Sequence, residues 1–141
     1  MEEKSSFYEG EKSASERRSK PTKLEPLTAK IIDCIIKVHK VLGPGFPRSV
    51  YHNALDVELK AAGMTVESDK ELPVMYQDQQ VGTTTLDVVV DGQVILALLT
   101  VDQVDAAHYA QLRSYLRAAG LEVGLLVNFA RERSDFRRVE L

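Results

Sequence analysis

Chemistry in this sequence would have to start from its acids. Between Tyr51 and Asp105 there are ten Asp and Glu residues against two bases, Lys60 and Lys70, a local balance of −8. A surface of that sign repels a phosphate backbone unless metal ions intervene. Asp87 is set among apolar residues in Leu86-Asp87-Val88-Val89-Val90. Further on, Gln111 and Tyr115 are four residues apart, the spacing at which two side chains share one helix face and pack together against a sheet. His108 stands alone ahead of them and reads as a helix-start residue. Arg131, Arg133, Arg137 and Arg138 are of a type that contacts phosphate, but Glu132, Asp135 and Glu140 interleave with them. That mixture reads as a solvated surface strand. Cys34 lies among isoleucines and reads as an inert core thiol.

The elements that must position these residues follow from patterning. The chain has 141 residues, 44% of them hydrophobic, enough for one domain with a real core. Net charge is −3, without the basic excess usual for nucleic-acid binding. A single cysteine excludes an intramolecular disulfide. The start, Met1-Glu2-Glu3-Lys4-Ser5-Ser6, lacks the apolar core of a signal peptide, and no apolar run approaches membrane-spanning length. A soluble, cytoplasmic protein is expected, with no membrane association.

Residues 1–25 hold six acids, six bases and five serines, with few large apolar groups. Alone, such a segment is expected to be disordered, because it buries too little to offset its ordering entropy. It divides the chain into a tail, 1–25, that is either disordered or docked on a partner, and a domain, 26–141. Thr28 is placed to cap a helix running to about Leu42, with Ile31, Ile35, Val38 and Leu42 on its apolar face. Gly43-Pro44-Gly45 ends it, and Pro47 suits the first turn of a second helix reaching Gly63. Strands are expected over Met64–Tyr76, broken at Pro73, then Thr83–Val90 and Gln93–Val101. In the middle strand, alternation puts Thr83, Thr85, Asp87 and Val89 on one face and Thr84, Leu86, Val88 and Val90 on the other. Asp91-Gly92 marks a type I′ hairpin turn, and the uncharged third strand is expected at the centre of the sheet, covered on both sides. A helix over Ala106–Ala119, capped by Asp105 and stopped by Gly120, precedes strands at Glu122–Phe129 and Phe136–Leu141.

On these residues the chain resembles a known family. Leu42-Gly43-Pro44-Gly45-Phe46-Pro47-Arg48-Ser49-Val50-Tyr51-His52-Asn53-Ala54-Leu55 looks like the signature of the GxxExxY family, part of the PD-(D/E)XK nuclease superfamily. Leu86-Asp87-Val88-Val89-Val90, the run His108–Leu116 and Gly124-Leu125-Leu126-Val127-Asn128-Phe129 look like the same family, in order, across about residues 27–141. The resemblance implies an α/β fold, with a mixed sheet of four to five strands flanked by helices and a metal site at one end of the hairpin. In active members, carboxylates on the second helix, the middle strand and the third strand hold Mg²⁺. A Lys on the third strand neutralises the developing charge. In this chain the helix Glu is Arg48, and the third-strand Glu and Lys are Ala97 and Leu99; Asp87, Gln111, Tyr115 and His108 remain. One carboxylate cannot build such a site, and Arg48 repels a cation. Asp91, Asp102 and Asp105 do not match the pattern.

The expectation is therefore a non-enzyme with no cofactor and no bound metal. Its site positions, Arg48, Asp87, Ala97, Leu99, Gln111 and Tyr115, are degenerate, and Asp87 is ion-paired with Arg48. The nuclease fold would serve a structural or interaction role, as a homo-oligomer in which the tail ties subunits together. A non-catalytic nucleic-acid-binding module is the alternative, disfavoured by the acidic middle of the chain. A residual metal-dependent nuclease ranks third.

Overall fold

The computed structural model describes residues 24–141, so the tail expected over 1–25 lies almost wholly outside the described residues. The first helix, α1 (Glu25–Leu42), starts three residues before Thr28. Pro26 falls in its first turn, where a missing N–H costs nothing. Thr28 is therefore buried inside the helix and not its cap; its hydroxyl donates to the Glu25 carbonyl at 3.0 Å. Glu25 belongs to the domain: its carboxylate pairs with Arg138 at 3.0 Å. The second helix, α2 (Arg48–Ala61), begins directly after Pro47, which sits in extended conformation at the cap position, one residue earlier than expected.

Three antiparallel strands follow, β1 (Val66–Tyr76), β2 (Gln79–Val90) and β3 (Val94–Leu99). Helix α3 (Ala106–Ala119) then crosses to β4 (Val123–Asn128), parallel to β3, and β5 (Asp135–Glu140) closes the sheet antiparallel to β4. The five strands lie in the order β1-β2-β3-β4-β5. Asp91 and Gly92 both have positive φ, 53° and 65°, and Gln93 N–H returns to the Val90 carbonyl, which is the expected type I′ turn. A second such turn joins β1 to β2 at Gln77 and Asp78, with φ of 49° and 65°. Without a glycine it leaves little trace in the sequence. Pro73 does not break β1, because β1 is an edge strand and a proline can leave its missing donor on the open side.

Strand β3 lies at the centre and is buried on both faces. Val94, Leu96 and Leu98 pack with Ile31, Ile35, Tyr51, Leu55 and Phe129 beneath α1 and α2. Ile95 and Ala97 pack with Leu112, Leu116 and Leu126 beneath α3. Strand β2 departs from the expected alternation. Val88 and Val90 join the α1/α2 core, but Leu86 joins Val89 in the α3 core. The break is at Asp87: the β1–β2 register passes from Ser68↔Val88 to Lys70↔Leu86, and Asp69, which would face Asp87, has φ 52°.

Tyr51 fastens the turn between the first two helices. It is fully buried, its hydroxyl donates to the Gly43 carbonyl at 2.5 Å and accepts from Phe46 N–H, and its ring stacks on Phe129 at 4.5 Å. Cys34 is in the same core, and burial, with Glu58 and Asp33 nearby, raises its thiol pKa. Among the described residues no helix is long and apolar enough to cross a membrane. Gly124 in β4 lets α3 approach closely: a Cβ there would lie 3.0 Å from the Ile95 carbonyl and 3.1 Å from Leu112. Gly124→Val is expected to lower stability by about 1–3 kcal/mol through overpacking, read as a shifted midpoint in urea unfolding.

Candidate functional site

The six positions singled out from the sequence meet in one cleft. A cavity of about 290 Å³ is lined by Arg48, Asp87, Ala97, Leu99, Gln111 and Tyr115. Its walls are the start of α2, the middle of β2, the end of β3 and the exposed side of α3. It opens because β2 and β3 part company. They pair only over Val88–Val90 with Val94–Leu96, and beyond that the two strands diverge.

Asp87 sits at the parting point and uses both of its oxygens. One accepts the Leu98 backbone N–H at 2.9 Å, a bond to β3 that replaces the next rung of the ladder. The other lies 3.3 Å from the Arg48 guanidinium. Arg48 is the first residue of α2, where a positive charge opposes the helix dipole. The Asp87 carboxylate offsets that. The ion pair is itself partly exposed, 44% on Arg48 and 27% on Asp87, so its direct contribution is about 0–1 kcal/mol. The expected pairing of Asp87 with Arg48 is thus present in the geometry.

Ala97 is buried and Leu99 half-buried on the α3 side of β3, next to Leu112 and Tyr115. Gln111 and Tyr115 face the cleft from α3, four residues apart as the spacing requires. His108 is not in the cleft. It completes a capping box in which Asp105 accepts Ala107 and His108 N–H groups and His108 Nδ1 accepts the Asp105 N–H. Asp91 is also engaged elsewhere, accepting from Thr65 N–H at 2.8 Å, and Arg131 donates to the Asp102 carbonyl. Among the described residues no group of three or more His, Cys, Asp or Glu is placed to hold a metal ion.

The arginines of β5 are not a solvated row. Arg137 donates to the Tyr109 hydroxyl and to Asp135. Burial works to lower its pKa, but those two partners outweigh burial and raise it. Arg138 is held by Glu25, Glu140 and the Thr28 hydroxyl. The strand packs against α1 and α3, and that packing draws the guanidinium groups into side-chain pairs.

Asn128 was given no role by the sequence, yet it shapes the cleft. Buried at the end of β4, it accepts from Val101 N–H at 3.1 Å and donates to the Val101 carbonyl at 2.9 Å. It thereby holds Val101, which with Thr100 lines the cleft. An amide ending an apolar strand is the signal that could have revealed it.

Residues 25–139 match the sequence profile of a family described as the PD-(D/E)XK nuclease superfamily. No curated protein sequence matches the chain. Among solved structures, the crystal structure of SSO0001 is similar, with a TM-score of 0.54 and 18% identity over 83% of this chain. The present chain spans 59% of that one, and the likeness is one of fold. Among the described residues one carboxylate, Asp87, lines the cleft, and it is already shared between Arg48 and the Leu98 N–H. With its mixed five-stranded sheet flanked by three helices, and with the profile matching from α1 to β5, the chain belongs to the PD-(D/E)XK nuclease superfamily.

Proposed function

We propose that this chain is a catalytically inactive member of the GxxExxY branch of the superfamily, and that it serves as a self-associating structural or interaction protein. The observation that carries the reading is the Arg48 guanidinium resting on Asp87. A cation at Asp87 would have to displace Arg48 and would then find Ala97 and Leu99 where further charged ligands are needed. Without a second carboxylate there is nothing to fix a metal in line with a phosphate and an attacking water. Burying Ala and Leu in place of a Glu and a Lys also removes charges that are costly to desolvate, which favours a stable scaffold over a reactive site.

Self-association is supported by the surface. Met75, Tyr76 and Val81 are 56%, 64% and 61% exposed, together near the tip of the β1–β2 hairpin. Clustered apolar groups of this kind mark contact surfaces.

Purified protein incubated with duplex and single-stranded DNA in Mg²⁺ or Mn²⁺ is expected to leave the substrates intact. Cleavage that disappears in Asp87→Ala would overturn the inactive reading. A metal-independent, salt-sensitive gel shift would move the role toward nucleic-acid binding.

Size-exclusion chromatography with light scattering at micromolar concentration is expected to show an oligomer. A clean monomer would remove the self-association part.

Asp87→Ala leaves the buried Leu98 N–H without a partner and is expected to cost about 1–3 kcal/mol in chemical denaturation. Asp87→Asn keeps an acceptor oxygen for that N–H and is expected to lose less.

A further inference from the structure

The parting of β2 and β3 leaves a short unpaired backbone edge inside the cleft. In a strand, successive residues turn their N–H and C=O groups to opposite sides. The Leu99 carbonyl accepts the Phe129 N–H, and Val101 exchanges two hydrogen bonds with the Asn128 side chain, so both residues face β4. Leu98 and Thr100 therefore face the β2 side, where the Leu98 N–H donates to Asp87. No strand pairs with them there, because β2 accompanies β3 only at Val94–Leu96. Both residues line the cleft. Among the described residues, the Leu98 carbonyl and the Thr100 N–H have no hydrogen-bond partner. Leu98 is buried, at 2% exposure, and a carbonyl in that setting needs a donor.

The rest of the cleft narrows what such a donor belongs to. The charged residues that line it, Arg48 and Asp87, are paired at 3.3 Å and offset each other. The acidic excess between Tyr51 and Asp105 further disfavours an anion. Ala97 and Leu99 supply apolar surface, Tyr115 a ring and Gln111 an amide. Apolar walls with a few convergent polar groups are the composition of small-molecule sites. The volume of about 290 Å³ is roughly twice the ~150 Å³ in which a protein cavity holds benzene.

We propose that this cleft binds a small, uncharged, planar molecule with a hydrogen-bond donor beside an acceptor. The donor meets the Leu98 carbonyl and the acceptor takes the Thr100 N–H. A carbonyl and an N–H two residues apart on one strand edge present acceptor and donor side by side. A ring with an amine next to a ring nitrogen, or a lactam, carries the complementary pair. Its faces would lie against Leu99 and Tyr115, which ask for apolar contact and not for charge. The loss of charge at Ala97 and Leu99 thus makes room for a ligand class that a cluster of ions would not admit.

The test is a nuclear magnetic resonance titration of the isotope-labelled full chain with adenine, whose amine lies beside a ring nitrogen and which is uncharged at neutral pH. Millimolar adenine is expected to shift the Leu98, Leu99 and Thr100 amide signals. Purine, which keeps the ring and lacks the amine, is expected to bind about tenfold more weakly. Thr100→Pro removes the N–H at an exposed position beyond the end of β3 and is expected to weaken adenine binding by about tenfold or more. Its fold is checked by urea unfolding, and the adenine–purine comparison decides the matter in the native chain if that variant fails to fold. Signals unmoved by adenine, or moved only outside the cleft, overturn the proposal. Equal affinity for adenine and purine, or undiminished adenine binding by folded Thr100→Pro, removes the hydrogen-bonding edge and overturns it as well. Adenosine monophosphate binding more tightly than adenine would make the cleft an anion site and overturn the uncharged class.

Discussion

A strand that water does not reach organises this domain. From Val94 to Leu98 every side chain of β3 is buried, alternately under α1/α2 and under α3. Two cores therefore share one strand, and each depends on β3 carrying no group that needs solvating. The parallel partner β4 is as apolar, with Asn128 as its one buried polar side chain, and that amide is spent on the Thr100–Val101 segment. Burial on this scale explains why Ala97 and Leu99 suit their positions. A charge at Ala97 would have to be desolvated against the α3 core.

Asp87 is the hinge between this core and everything outside it. Its carboxylate holds β3 through the Leu98 N–H where the strand ladder ends, and holds α2 through Arg48. The same residue marks the point where β2 loses its alternation and turns away as a ribbon. One side chain thus meets the cleft, the first turn of α2 and the base of the β1–β2 hairpin. An ion pair and one backbone hydrogen bond join these elements.

Features with a strong local cause were legible in the sequence. Asp91-Gly92 announces its turn, Asp105 and Gly120 bound α3, and the unbroken apolar run of β3 implies burial on both faces. The site positions could be located because short motifs kept their order and spacing, and the cleft gathers all six. What escaped depends on tertiary context. Thr28 has a capping residue's chemistry, but Arg138, more than a hundred residues away, uses its hydroxyl inside the helix. Gln77-Asp78 makes a turn without glycine because β1 and β2 are held together along their whole length. Leu86 changes faces because a ladder is interrupted, which period-two alternation cannot register. The arginines of β5 look solvated in one dimension and are paired in three.

The contact between Glu25 and Arg138 joins the first helix to the last strand. His39, buried at the other end of α1, holds the Arg131 carbonyl at 2.6 Å and stacks against Phe129. The described chain is therefore nearly a ring: its two ends emerge side by side, on the flank of the sheet opposite the β1–β2 ribbon. In terms of connectivity, whatever precedes residue 24 and whatever follows residue 141 leave from one neighbourhood, with the full width of the sheet between them and the ribbon. The domain therefore has one end that carries both ends of the described chain and another that carries the β1–β2 hairpin.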